Sequence, residues 1–271
     1  MKNKIRAFYI WCRYFMNRIN ENHIDTYSAC AAFYMFICVI PFMMAFLELV
    51  KYTPITKSDL LSAIVAILPN EMDPLGISIL DELYGKSSAI LSFSIVAAIW
   101  SAARTILVIT KGLNEITGIT EKRNYFVIRI WSSIYTVILI FLIVFMMVLG
   151  VYGEKIYSYL EQYIVRPPVS VRLLIDYKNI ILVFVMFLII MFLYCVLPAK
   201  RVVVKQQIPG ACFSAVIWNV FTQGFSIYTS YAPTFSMYGS LTLIVIFLLW
   251  LYFGMYIFFV GAQINNCLTF Q

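Results

Sequence analysis

Arg104 places a guanidinium inside SSAILSFSIVAAIWSAARTILVITKGLNEITG, residues 87–118, a run otherwise apolar and long enough to cross a bilayer. A charge at that depth costs about 3 kcal/mol on insertion scales, so such a residue faces a partner, a cavity or water. On a helix, Ser94, Ala97, Ser101, Arg104, Thr105, Val108, Lys111 and Glu115 recur at steps of three and four. They share one small and polar stripe, with Ile95, Ile99, Ile106 and Ile109 turned to other faces. A guanidinium presents a planar fork of donors that suits a phosphate or a carboxylate. The expectation is a polar cavity in which Arg104, Ser101 and Thr105 meet an anionic group of a transported molecule. A competing reading has Arg104 snorkelling toward the inner helix end or pairing structurally. Asn219, Thr222 and Gln263 are neutral polar groups in other apolar runs, expected to line the same cavity or to bond helix to helix. Lys111, Asn114, Glu115 and Arg123 gather at the inner end of the Arg104 helix as an inner mouth, where Lys111 and Glu115 can pair across one turn.

Other chemistry finds little support. The six cysteines include no C-x-x-C spacing, and His23 is the only histidine, so neither a disulfide framework nor a metal site is expected. A nuclease would want clustered carboxylates for divalent metal beside a basic groove, but the acids are scattered. G-x-S-x-G, H-E-x-x-H and a glycine-rich phosphate loop are all missing from the sequence. The reading is therefore of a protein that is not an enzyme, needs no cofactor and takes no nucleic acid as partner.

The elements that must position these residues follow from composition. With 62% hydrophobic and only 12% charged residues, against about 25% charged in soluble chains, the sequence reads as a polytopic membrane protein. It is expected to be all-α, a bundle of six transmembrane helices near 27–50, 87–112, 125–150, 177–197, 208–229 and 241–267. Pro41 should bend the first span. The fourth is apolar all round. The fifth carries a seam of Ala211, Ala215, Asn219, Thr222, Ser226 and Thr229 suited to close helix contact, and Gly254, Gly261 and Asn265 give the sixth a sparser one. Residues 1–26 form a basic amphipathic segment, expected to lie on the inner membrane surface or to pack on the bundle, and 51–86 promise short amphipathic helices in the first outer loop.

Loop charges set the orientation. With the N-terminus inside, the inner segments hold Lys2, Lys4, Arg6, Arg13, Arg18, Lys111, Lys122, Arg123, Arg129, Lys200, Arg201 and Lys205 against Glu21, Asp25, Glu115 and Glu121. The outer segments are richer in acids than in bases, which puts both termini in the cytoplasm. Beyond Lys205 the sequence carries no charged residue, so the last two spans must be held by packing and neutral hydrogen bonds.

Several stretches, in order, resemble the YihY/virulence factor BrkB family of inner-membrane proteins, once mislabelled ribonuclease BN. They are AAFYMFICVIPFM, IWSAARTILVITKGLNEITGITEKR, LPAKRVVVKQQIPGA with Gly210, MYGSL with Tyr238 and Gly239, and WLYFGMYIFFVGAQIN with Asn265. The resemblance implies a six-helix bundle in the bacterial inner membrane with both ends cytoplasmic, and a link to the cell envelope. It points to transport of a lipid or another envelope component, with a non-transporting scaffold or envelope assembly factor as the alternative. Membrane lipids, a lipid or anionic substrate, and an envelope protein or a second copy are the partners it brings into view. The family often has Glu in the Gly-Ala-Glu-x-Asn position; here Gln263 stands in that place.

Overall fold

The computed structural model describes residues 2–50, 88–120, 130–135, 178–199, 202–231 and 240–269, together with 58, 61, 77, 78 and 81. Six long helices carry almost all of this: α1 Lys2–Glu21, α2 Ile24–Val50, α3 Ser88–Ile116, α4 Lys178–Val196, α5 Val204–Tyr231 and α6 Ser240–Thr269. Residues 130–135 are also helical, and no strand occurs among the described residues. Five of the expected spans coincide with α2 to α6. The third expected span lies outside the described residues except for 130–135, as do Arg123, Tyr238 and Gly239, and the outer-loop helices save for 58, 61, 77, 78 and 81.

Three windows, Ile24–Phe42, Val96–Ile116 and Ile244–Leu268, are long and apolar enough to cross a membrane. Their surface is that of a protein bathed in lipid. Phe33, Ile37, Ile40, Val96, Trp100, Val245 and Leu249 are all exposed, which water would penalise and hydrocarbon does not. In α4 the division is clear. Ile180, Phe184 and Leu188 face outward, whereas Ile190, Leu193, Tyr194 and Leu197 are buried toward its C-terminal end.

α6 is the hub. It packs on α2 and α5 and touches α3; α2 packs along α3, and α4 along α5. The neighbours are antiparallel: Tyr27 near the start of α2 reaches Gly112 near the end of α3, and Gly210 near the start of α5 sits against Gly261 and Asn265 near the end of α6. One end of the bundle therefore collects the starts of α2 and α5 and the ends of α3, α4 and α6.

Turn chemistry fixes two corners at that end. α3 stops at Gly118, which takes φ +65°. The Gly118 N–H bonds to the Glu115 carbonyl at 3.0 Å and the Ile119 N–H to the Asn114 carbonyl at 2.8 Å, a Schellman arrangement that satisfies the helix's last carbonyls. Between α1 and α2, His23 takes φ 49°, a conformation that costs a residue with a Cβ about 1 kcal/mol. Its own carbonyl accepts the first α2 bond, from Tyr27 N–H at 3.0 Å. α2 thus begins three residues earlier than expected from the sequence, and α1 is a separate helix joined by a tight corner. Among the described side chains of α1, Ile19 is buried and Phe15 half-buried against the core, while Tyr9, Ile10 and Met16 stay exposed. Arg18 stacks 5.4 Å over Tyr14 and its Nε donates to the Tyr14 hydroxyl at 3.1 Å, a bond that raises its pKa above the ordinary arginine value.

Pro41 lies within α2, which continues past it to Val50.

Candidate functional site

The stripe on α3 divides along its length. Ala97, Ser101, Arg104 and Val108 are half-buried and Lys111 and Glu115 are exposed, while the most open residues of the helix, Phe93, Val96 and Trp100, lie just to one side of this stripe. The opposite side, with Ala98, Ile106, Ile109 and Leu113, is buried against α2 and α6. Arg104 therefore stands near the middle of an apolar window with one flank in the protein and the other open to the side. Among the described residues no carboxylate lies within ion-pair distance of it, and Lys111 and Glu115 likewise form no ion pair with each other.

Beside Arg104, Thr105 is buried, with 6% of its surface exposed. A helical threonine ordinarily donates back to the carbonyl one turn earlier, and its neighbours do so: Ser101 to Ala97 at 2.8 Å, Thr110 to Ile106 at 2.8 Å, Thr117 to Leu113 at 2.8 Å. The Thr105 hydroxyl makes no such bond and has no hydrogen-bond partner. A buried hydroxyl left this way costs on the order of 1–3 kcal/mol, so the position holds hydrogen-bonding capacity that folding does not use.

The remaining polar residues from the sequence reading meet elsewhere. Gln263 is fully buried at the end where five helix termini gather. Its Oε1 accepts from Asn22 Nδ2 at 2.6 Å and its Nε2 donates to Cys267 Sγ at 3.2 Å. Asn265, two residues on and 2% exposed, accepts from the Gly210 N–H at 2.6 Å and donates to Gln207 Oε1 at 3.0 Å. Asn114 Oδ1 accepts the Ala199 N–H at 2.8 Å, joining α3 to the chain leaving α4, and Asn266 Nδ2 donates to the Ile116 carbonyl at 2.6 Å. Carboxamides suit this work because each carries donors and acceptors without a charge to desolvate. The result is a clasp that ties the ends of all these helices together.

One turn deeper, the Tyr194 hydroxyl donates to the Phe258 carbonyl at 2.5 Å and lies 3.0 Å from the Ser214 hydroxyl, which donates to the Ile257 carbonyl at 3.1 Å. These bonds require α5 and α6 to run very close. A Cβ on Gly210 would overlap the Gly261 carbonyl, and one on Gly261 would overlap Ser214 and Tyr194. Tyr194, Ser214, Asn22 and Asn266 were not singled out by sequence reasoning. The signal was present for two of them: Ser214 continues the Ala211–Ala215 seam, and Asn266 follows Asn265 in a tail with no charges.

Asn219 and Thr222 fall into neither group. Thr222 accepts weakly from Trp250 Nε1 at 3.4 Å, and Asn219 accepts from Gln223 Nε2 at 2.7 Å on the outer side of α5. α5 packs against α4 and α6. Of the residues expected around Arg104, those that share its helix, Ser101 and Thr105, are the ones beside it. Groups of three or more histidine, cysteine or acidic residues able to hold a metal are not found among the described residues.

A family model described as virulence factor BrkB matches residues 15–270. Similar curated relatives include the ribonuclease-like protein YfkH of Bacillus subtilis (strain 168), 27% identical over 243 residues that cover 89% of this chain and 88% of the relative. UPF0761 membrane proteins of Histophilus somni (strain 2336) and Pseudoalteromonas atlantica are also similar. The first is 24% identical over 278 residues, covering 99% of this chain and 93% of the relative. The second is 23% identical over 265 residues, covering 95% and 85%. No solved structure matches the chain.

Proposed function

The chain belongs to the virulence factor BrkB family and is a helical membrane protein, and we propose that it moves a lipid or another anionic envelope component along the Arg104 face of α3. The observation that carries this reading is a half-buried guanidinium in mid-window, with no carboxylate partner among the described residues, beside a buried hydroxyl that folding leaves unbonded. Because Arg104 borders the exposed Phe93, Val96 and Trp100 flank of its helix, a molecule would reach it from the plane of the bilayer, which suits a lipid headgroup better than a solute in a central pore. Arg104 supplies the bidentate contact to a phosphate or carboxylate, Thr105 a further hydrogen bond, and Ser101 the small neighbour that leaves room. The proposal places the protein in the bacterial inner membrane with both termini cytoplasmic, and assigns it no catalytic step and no cofactor. The ribonuclease-like name of the Bacillus relative is not carried over: residues 206–271 offer no acid, base or histidine to work on RNA.

The test is reconstitution in vesicles with labelled anionic phospholipid. Native protein should redistribute the label between leaflets, Arg104→Ala should lose most of that activity, and Arg104→Lys should keep part of it. Equal rates for all three would overturn the reading. A scaffold or envelope assembly factor is the second reading, favoured by the clasp, which holds the helices in one fully bonded arrangement. It predicts no label movement and a phenotype that follows clasp residues such as Gln263 rather than Arg104.

A further inference from the structure

The outer side of α5 carries a polar group that its surroundings do not explain. The inner side of this helix is buried: Ala211, Ser214, Ala215, Phe225 and Thr229 pack toward α4 and α6. Val216, Val220 and Ile227 point the other way and are exposed, an ordinary lipid-facing surface, but Gln223 is exposed among them. Depth follows from the helix alongside. Trp218 packs on Gly254, and Thr222 meets Trp250, so residues 218–222 lie level with 250–254. Gln223, one residue beyond Thr222, falls level with Leu249, inside the apolar window Ile244–Leu268 and about 8 Å from its end. Water at that depth is not there to satisfy a carboxamide.

The bond from Gln223 Nε2 to Asn219 Oδ1 uses one donor and one acceptor. The Gln223 Oε1, its second N–H and both N–H groups of Asn219 make no hydrogen bond among the described residues. Acyl chains offer neither donors nor acceptors. A charged partner would bring an ion to a face that has none to match it, because the sequence from Gln206 onward is uncharged. What fits is a neutral group with both donors and acceptors at the same depth. The same pair in a second copy is such a group, because copies inserted in one orientation are related by an axis along the membrane normal, which brings equal depths together.

We propose that the outer side of α5 is a homodimer interface in which the Asn219–Gln223 carboxamides of two copies hydrogen-bond to each other, flanked by Val216, Val220 and Ile227. This interface is independent of any role of Arg104.

The experiment uses the full chain in vesicles at low protein density, read by single-molecule photobleaching, with cysteine cross-linking along α5 in a background where the native cysteines are replaced. The expected result is two bleaching steps, with cross-links between copies at Val216→Cys and Val220→Cys and none at Ala211→Cys or Ala215→Cys. Asn219→Leu with Gln223→Leu should weaken self-association about tenfold, while the unfolding transition stays that of the native chain. Single copies at every density, a leucine variant that pairs as tightly as the native protein, cross-links that map away from α5, or capture of a different protein at positions 216 and 220 would each overturn the proposal. Should the leucine variant fail to fold, the cross-linking pattern of the cysteine series decides by itself.

Discussion

Replacing Gly261 by alanine adds a single methyl group at the tightest point of the bundle. That methyl would overlap the Ser214 hydroxyl and come within 2.6 Å of the Tyr194 hydroxyl, with the Gly210 carbonyl also close. Two of the obstructing atoms belong to hydrogen-bonded groups and the third is backbone, so α5 and α6 must part. Overpacking of this kind costs about 1–3 kcal/mol. Parting also lengthens the bonds from Tyr194 to the Phe258 carbonyl and from Ser214 to the Ile257 carbonyl, each worth on the order of 1 kcal/mol. Alanine's better helix propensity returns about 1 kcal/mol, leaving a net loss of roughly 2–4 kcal/mol. Gly224 is the internal control. It lies in the same helix pair, but an added Cβ there meets nothing within 4 Å, so Gly224→Ala should be neutral or stabilising by up to about 1 kcal/mol. Unfolding of both variants in mixed micelles by SDS titration gives the comparison, and Ser214→Ala in the Gly261→Ala background should recover part of the loss. If Gly261→Ala unfolds with the native chain, or the two glycine variants behave alike, the close approach of α5 and α6 is not what holds this end together.

Asn22→Leu and Gln263→Leu should each destabilise by about 1–3 kcal/mol, because each strands the other's buried carboxamide; the double variant should lose clearly less than the sum, in a double-mutant cycle by the same titration. His23→Gly should stabilise by up to about 1 kcal/mol in the same titration by relieving the positive φ at the α1–α2 corner; a destabilised variant would mean that the imidazole itself holds the corner. Thr105→Val replaces an unbonded buried hydroxyl by a methyl group and should raise stability by about 1 kcal/mol while lowering lipid movement in vesicles; a destabilised variant would mean that the hydroxyl has a partner.

Periodicity and hydropathy made the helices legible because lipid imposes a simple rule: long apolar runs form helices whose backbone groups satisfy one another. Consecutive spans must reverse direction, and the meeting of Gly112 with Tyr27 and of Gly210 with Gly261 shows that reversal at one end of the bundle. The assignment of particular polar residues was harder. Gln263 and Asn219 look alike in sequence, each a carboxamide in an apolar run. The first is enclosed by α1 and α6, whereas the second lies on the outer side of its helix. A one-dimensional pattern gives a residue's face but not what lies opposite, and for a neutral amide the two outcomes leave the same trace. Tyr194 was hidden for a related reason: within LYCVL it reads as one more bulky apolar residue, and only the nearness of Ser214 and the Phe258 carbonyl reveals its hydroxyl as a tie between three helices.

The clasp is not matched at the other end of the described bundle. There Ala32, Phe225, Phe247 and Leu251 cluster with Phe36 and Trp250, and the rings of Phe36 and Phe247 lie 6.0 Å apart. Contacts between rings and aliphatic groups have no fixed direction and can slide, whereas carboxamide bonds tolerate little change of angle before they fail. Any parting of these helices is therefore expected to pivot about the amide-bonded end, as the arms of tweezers do. Spreading of α2 from α6 would be widest near Phe36 and smallest at Asn22, so distance probes at those two depths would report large and negligible changes, respectively, in one and the same motion.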